Sequence, residues 1–184
     1  MTLKNIKSVQ KTLGLLLTVF SSTMLTPVVV ALIYQESTSL VFVASFLITG
    51  LFGLVLWLPA KKADTEIRLH EGFIIVAAFW VVLALFGALP FLLLPELGLS
   101  LTNAVFESTS GLTTTGATIL TGLDELPRSL LFYRQQLQWL GGLGIVVLAV
   151  ALLPILGVGG MRLYRAESSS AIRESKFTPR QKET

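Results

Sequence analysis

Leu101-Thr-Asn-Ala-Val-Phe-Glu-Ser-Thr-Ser-Gly-Leu112, followed at once by Thr113-Thr-Thr-Gly-Ala-Thr118, is the stretch on which the fold turns. Its first part reads as a short helix, with Ser100 or Thr102 placed to cap the start and Gly111 near the end. As α-helix it measures about 18 Å, roughly half a bilayer core. The second part is a poor helix former, with three threonines running into a glycine. Gly116 supplies a backbone conformation with φ > 0 that a Cβ would penalise. Non-helical backbone at membrane depth is tolerated only where it lines a cavity filled with water or ions. A Thr-rich, Gly-containing segment after a half-membrane helix suits a cation filter, in which carbonyls replace the ion's hydration shell. The C-terminal end of the helix adds partial negative charge on the same side. An outer lid with a Thr-rich turn is the other reading these residues allow.

The flanking sequence makes this stretch a re-entrant segment. A membrane-spanning helix needs about 20 apolar residues. Four such runs are present, at Leu13–Tyr34, Leu40–Ala60, Phe73–Leu94 and Leu130–Leu156. Pro95–Ser129 lies between the third and fourth, too polar for a span and too apolar for a plain loop. The first run is longer than a signal-peptide core and lacks a cleavage site, so it reads as a retained span. Pro27, Pro90 and Pro154 in or near these runs read as kinks, which membrane helices accommodate.

Composition agrees. The chain has 184 residues, 53% hydrophobic and 14% charged, with mean hydropathy +0.76 and a pI near 9.4. Soluble domains carry roughly a quarter charged residues. The absence of Cys excludes disulfides and thiolate chemistry, and one histidine, His70, leaves no His cluster. Nothing in the composition suggests an enzyme or a nucleic-acid partner. Of the 14 basic residues, only Arg128 and Arg134 fall outside the N-terminal segment, the 61–72 linker and the tail after Leu156. The positive-inside bias therefore predicts cytoplasmic N- and C-termini and an outer Pro95–Ser129.

Single residues have simpler readings. Glu107 is read as a structural acceptor for N–H groups near the Thr-Gly turn, or as a source of negative potential. Asp124 and Glu125 either enrich cations at the mouth or are solvated. Arg134 is read as snorkelling to the interface. Trp57 and Trp139 fit interfacial belts, and Gly141, Gly142 and Gly144 fit close helix packing. Asp64, Glu66, Arg68, His70 and Glu71 form a solvated linker.

Phe106-Glu-Ser-Thr-Ser-Gly-Leu-Thr-Thr-Thr-Gly-Ala-Thr118 resembles the first pore loop of the Trk/Ktr/HKT potassium transporters. Gln138-Trp-Leu-Gly-Gly-Leu-Gly-Ile145 resembles the start of that family's next helix. Leu153-Pro-Ile-Leu-Gly-Val-Gly-Gly-Met161 and Leu163-Tyr-Arg-Ala-Glu167 resemble its cytoplasmic exit. The similarity covers essentially the whole chain and is strongest to the H-type membrane subunits of bacterial Trk systems.

The resemblance implies an all-α integral membrane fold. Two leading transmembrane helices precede one membrane–pore loop–membrane repeat of a potassium-channel-like architecture. On that reading residues 1–72 hold spans 13–34 and 40–60 and a cytoplasmic linker. Residues 73–160 hold span 73–94, pore helix 101–112, filter 113–118 and span 130–156. Residues 161–184 are a cytoplasmic tail. The family has four repeats and this chain one, so the chain reads as the N-terminal portion of a transporter, with three further repeats or other subunits completing the pore. The implied function is K⁺ uptake, as symport, across the bacterial inner membrane. Backbone carbonyls of Thr113, Thr114, Thr115 and Gly116 would hold the ion, with no organic cofactor. The implied partners are lipid, a second full-length copy and a cytoplasmic nucleotide-binding regulatory subunit. The contrasting expectation is a non-conducting scaffold that keeps one repeat.

Overall fold

The computed structural model describes residues 3–62 and 69–147, which are helical apart from short connections. The linker at 63–68, the Leu153–Met161 motif and the 161–184 tail lie outside the described residues. The chain divides into two compact units, 1–142 and 143–184, and the helix packing lies within the first.

The first apolar run forms α1 (Leu3–Thr23) and α2 (Leu25–Ile33), parted at Met24. The break comes from Pro27, which has no N–H for the carbonyl of Thr23 four residues back. The chain turns through Tyr34–Thr38 into α3 (Ser39–Ala60). α3 returns along α1 at backbone distance. A Cβ on Gly14 would lie 2.7 Å from the Trp57 amide nitrogen, and one on Gly53 2.5 Å from Thr18 Oγ1. Small residues allow this approach, which drives helix association where lipid supplies no hydrophobic force. Thr18 and Ser21 keep their hydroxyls satisfied on their own helix, on Gly14 O and Thr18 O.

The third run gives α4 (Leu69–Gly87) and α5 (Leu89–Leu93), parted at Ala88 just before Pro90. The expected span 73–94 thus carries its break beside Pro90, and Tyr133 caps the break by donating its hydroxyl to Gly87 O at 2.8 Å. A short 3₁₀ turn at Pro95–Leu97 leads to α6 (Leu101–Leu112). The extended return after α6 contains a second 3₁₀ turn, Leu123–Glu125, and ends at helix α7, which occupies 128–147. The expected fourth span, 130–156, passes beyond the described residues.

Three helical stretches, Ile6–Ile33, Ser39–Ala60 and Gly72–Leu93, are long and apolar enough to cross a membrane. Their outer faces bear exposed Val29, Leu32, Leu47, Leu51, Val55 and Val81. Inside is one core, drawn from every helical run, in which Leu17, Met24, Phe42, Phe91, Leu112, Leu130, Leu137 and Tyr133 form a single buried cluster. The Tyr133 ring lies 5.5 Å from those of both Phe42 and Phe91. The leading helices are therefore packed into the repeat. The structure is an all-α membrane fold with two leading helices and a re-entrant helix between later runs.

Candidate functional site: the re-entrant turn

α6 starts at Ser100, whose hydroxyl accepts from the Asn103 amide at 3.2 Å. It stops at Leu112, and backbone N–H groups beyond that point turn back onto its last carbonyls. Thr113 N donates to Thr109 O at 2.9 Å and Thr114 N to Gly111 O at 2.9 Å. Thr115 N and Gly116 N donate to Ser110 O at 3.0 and 3.4 Å. No peptide bond here is cis, and in a planar trans peptide the C=O points opposite to the N–H of the following residue. With the amides of 114, 115 and 116 aimed at α6, the carbonyls of Thr113, Thr114 and Thr115 point away from it. Among the described residues none of these oxygens accepts a hydrogen bond. Residues 113 to 118 are exposed.

Handedness makes the arrangement possible. φ is −80° at Thr113, +57° at Thr114 and +74° at Gly116. The value at Gly116 is the one its lack of a Cβ permits. The value at Thr114 was not legible in the sequence. A β-branched residue in this region costs about 1–2 kcal/mol, and such strain persists where its surroundings over-determine it, commonly at functional sites.

The outward limb is tied to the same helix. Ser110 Oγ donates to Ala117 O at 2.6 Å. Glu107 is 2% exposed. Its Oε1 accepts from Thr118 Oγ1 at 2.5 Å and from the Ile119 amide at 2.7 Å. Its Oε2 accepts from Arg134 Nε at 3.2 Å. Of the two sequence readings of Glu107, the structural acceptor is the one this geometry displays. Arg134 does not snorkel to the interface. It is 8% exposed and paired with Glu107, because its position on α7 faces the buried carboxylate of α6. The clue in the sequence was that Arg134 lies outside the charge bias, an uncompensated cation needing a partner.

Two further groups escaped the sequence reading. Glu36, between α2 and α3, binds the start of α7. It accepts from the amides of Arg128 and Ser129 at 2.7 and 3.1 Å and from Ser129 Oγ at 2.5 Å. This places a carboxylate on the free N–H groups and positive end of a helix. Partial burial raises the Glu36 pKa, but the bonds from Ser129, Arg128 and Thr38 together outweigh it and hold the carboxyl below its ordinary 4.5. Arg128 itself lies over the Tyr34 ring, 4.9 Å from its centroid. Gln136 Nε2 donates to Thr23 O at 2.8 Å, the carbonyl freed by Pro27. Asp124 and Glu125 lie in the exposed 3₁₀ turn of the return. Trp139 is 67% exposed, as an interfacial side chain would be. Gly141 touches the backbone of α6, whereas a Cβ on Gly142 would make only an ordinary contact with the Thr114 side chain.

Comparison with known proteins gives consistent matches. The family profile described as "TrkH: Cation transport protein" matches residues 38–184. The Trk system potassium uptake protein TrkH of Vibrio parahaemolyticus is 51% identical over 178 residues, 97% of this chain. That of Escherichia coli K12 is 52% identical over the same length and share. The Trk system potassium uptake protein TrkG of E. coli K12 is 41% identical over 184 residues, 100% of this chain. The chain spans 37% of the length of the first two relatives and 38% of the third. The crystal structure of the potassium transporter TrkH from V. parahaemolyticus superposes with a TM-score of 0.79 at 48% identity. That match covers 92% of this chain and 36% of the other.

Proposed function

The chain belongs to the TrkH family of cation transport proteins, and on that premise we propose that it supplies one limb of a K⁺ filter in a bacterial potassium-uptake transporter. Thr113, Thr114 and Thr115, with Gly116 completing the turn, bind the ion through backbone carbonyls. The observation that carries this reading is the direction of the peptide planes. Each amide that would repel a cation is spent on an α6 carbonyl, and three oxygens without partners are left on the other side.

One limb surrounds only part of an ion. The relatives are nearly three times as long, and the rest of such a polypeptide supplies the other limbs. Residues 1–72 act as the two-helix leading region and 73–160 as the first repeat, with 161–184 as the cytoplasmic tail. The protein lies in the inner membrane with both termini cytoplasmic, takes up K⁺ as a symporter, pairs with a second copy, and meets a nucleotide-binding regulatory subunit on its cytoplasmic face.

The test is a transporter in which this chain replaces the matching segment of the E. coli TrkH relative, expressed in a strain without other potassium uptake. A Cβ at Gly116 meets no atom within 4 Å, so Gly116→Ser acts through the backbone alone, at about 1–2 kcal/mol for φ near +74°. K⁺ and Na⁺ fluxes are measured in parallel. Gly116→Ser is expected to lower the K⁺/Na⁺ ratio with the protein still in the membrane, and Thr115→Ser, which keeps its carbonyl, to be mild. An unaltered ratio in Gly116→Ser rejects the filter and favours a non-conducting outer lid.

A further inference from the structure

We propose that Glu107 is a positioning residue that sets ion discrimination, by holding the outward limb of the turn on a post braced by Arg134. The proposal rests on the reading of residues 113–116 as the filter. The turn hangs between two anchors on one helix. Its near end is fixed by amides on the carbonyls of Thr109, Ser110 and Gly111. Its far end is fixed by the side chains of Ser110, which grips Ala117 O, and of Glu107 about one turn earlier, which grips Thr118 and Ile119. Positions 107 and 110 are i and i+3, so both project from the same face of α6. The Thr118 hydroxyl is fixed in direction, since it donates to Glu107 and accepts the Leu120 amide at 3.0 Å.

Stability alone does not account for the arrangement. A buried ion pair loses about as much to desolvation as it gains from attraction, and apolar replacements often match it. What this pair adds is geometry. One carboxylate ties together α6, the return and α7. Oε2 is immobilised by Arg134, so Oε1 presents a fixed point to two donors at once. Discrimination among cations depends on the number and field of the coordinating carbonyls. Those of Thr113–Thr115 stand between the two anchors, and slack at the far one reorients them.

The test uses the same chimeric transporter. Glu107→Gln leaves Arg134 buried against a neutral amide and probes folding as much as function, so the decision falls to exposed Thr118. Thr118→Val keeps the shape and removes both the donor to Glu107 and the acceptor of the Leu120 amide, while Thr118→Ser restores both. Losing the hydrogen bond to the charged Glu107, the bond that ties the limb to its post, is expected to lower the K⁺/Na⁺ flux ratio about tenfold in Thr118→Val. Membrane abundance should stay at the parental level with only a small fall in melting temperature, and Thr118→Ser should keep the parental ratio. A parental ratio in Thr118→Val, alongside a reduced one in Gly116→Ser, overturns the role of Glu107 and leaves the filter standing. Loss of the ratio in Thr118→Ser as well overturns it too. If neither Gly116→Ser nor Thr118→Val changes the ratio, the filter reading falls and this proposal with it.

Discussion

Adding one methyl group at Gly141 should disable the turn from behind. The Cβ of Gly141→Ala would stand 1.8 Å from Leu112 O, 2.6 Å from Leu112 C and 3.0 Å from Leu112 Cα. All three are backbone atoms, so no side chain can swing aside. Ordinary contact begins at about 3.4 Å, and reaching it requires α6 and α7 to separate by roughly 1.6 Å at this point. Overpacking of this kind costs about 1–3 kcal/mol, and more where the backbone must move. The functional effect should exceed the stability effect. Leu112 directly precedes the 113–116 turn, and the amides of that turn hang on the carbonyls of Thr109, Ser110 and Gly111. Misplacing a pre-organised group by about 1 Å lowers rates by up to about a hundredfold. The neighbouring residue is the control, because a Cβ on Gly142 lies 3.8 Å from Thr114 Cγ2, an ordinary contact. Alanine there should be neutral or stabilise the helix by up to about 1 kcal/mol. The assay is initial K⁺ uptake per transporter in the chimera, with thermal unfolding in detergent. Gly141→Ala should lose most uptake and melt early, and Gly142→Ala should resemble the parent. Equal behaviour of the two would refute the close packing of α7 on the end of α6.

The N-terminal end of α7 should weaken in acid. The Glu36 carboxyl is held below its ordinary 4.5 in the folded protein, so its contribution is present above pH 4.5 and is lost as pH falls from there through the lowered folded value. Glu36→Gln should flatten the acid limb of thermal stability measured against pH, and an unchanged limb would assign it to other carboxyls. Topology is testable in this Cys-free chain: a membrane-impermeant thiol reagent applied to intact cells should label Ser37→Cys and spare Asp64→Cys, and the reverse pattern would invert the orientation.

Much of the architecture is legible residue by residue because it is local. Long charge-free runs specify helices that bury their backbone hydrogen bonds in lipid, whatever they pack against. Ser100 and the Thr-Thr-Thr-Gly run carry their own start and stop signals for α6. Gly116 advertises a left-handed residue, because the lack of a Cβ is visible without any neighbour. Pro27 and Pro90 announce helix breaks for an equally local reason, the missing N–H.

Partner choice was not legible, since it depends on which faces meet after packing. Gln136 reaches a carbonyl 113 residues earlier in the chain, and Arg134 a carboxylate 27 residues earlier. Hydropathy ranks both only as polar residues at the start of an apolar run. Gly141 and Gly142 look alike in the sequence, and only contact with Leu112 separates them. The left-handed Thr114 runs against its own propensity and is held there by hydrogen bonds to the end of α6. Sequence by itself determined where the helices run and where the backbone leaves them, because those depend on each residue's own chemistry. Tertiary structure decided which carbonyls stay free and which charges are paired, because both are properties of surfaces that exist only once the helices have met.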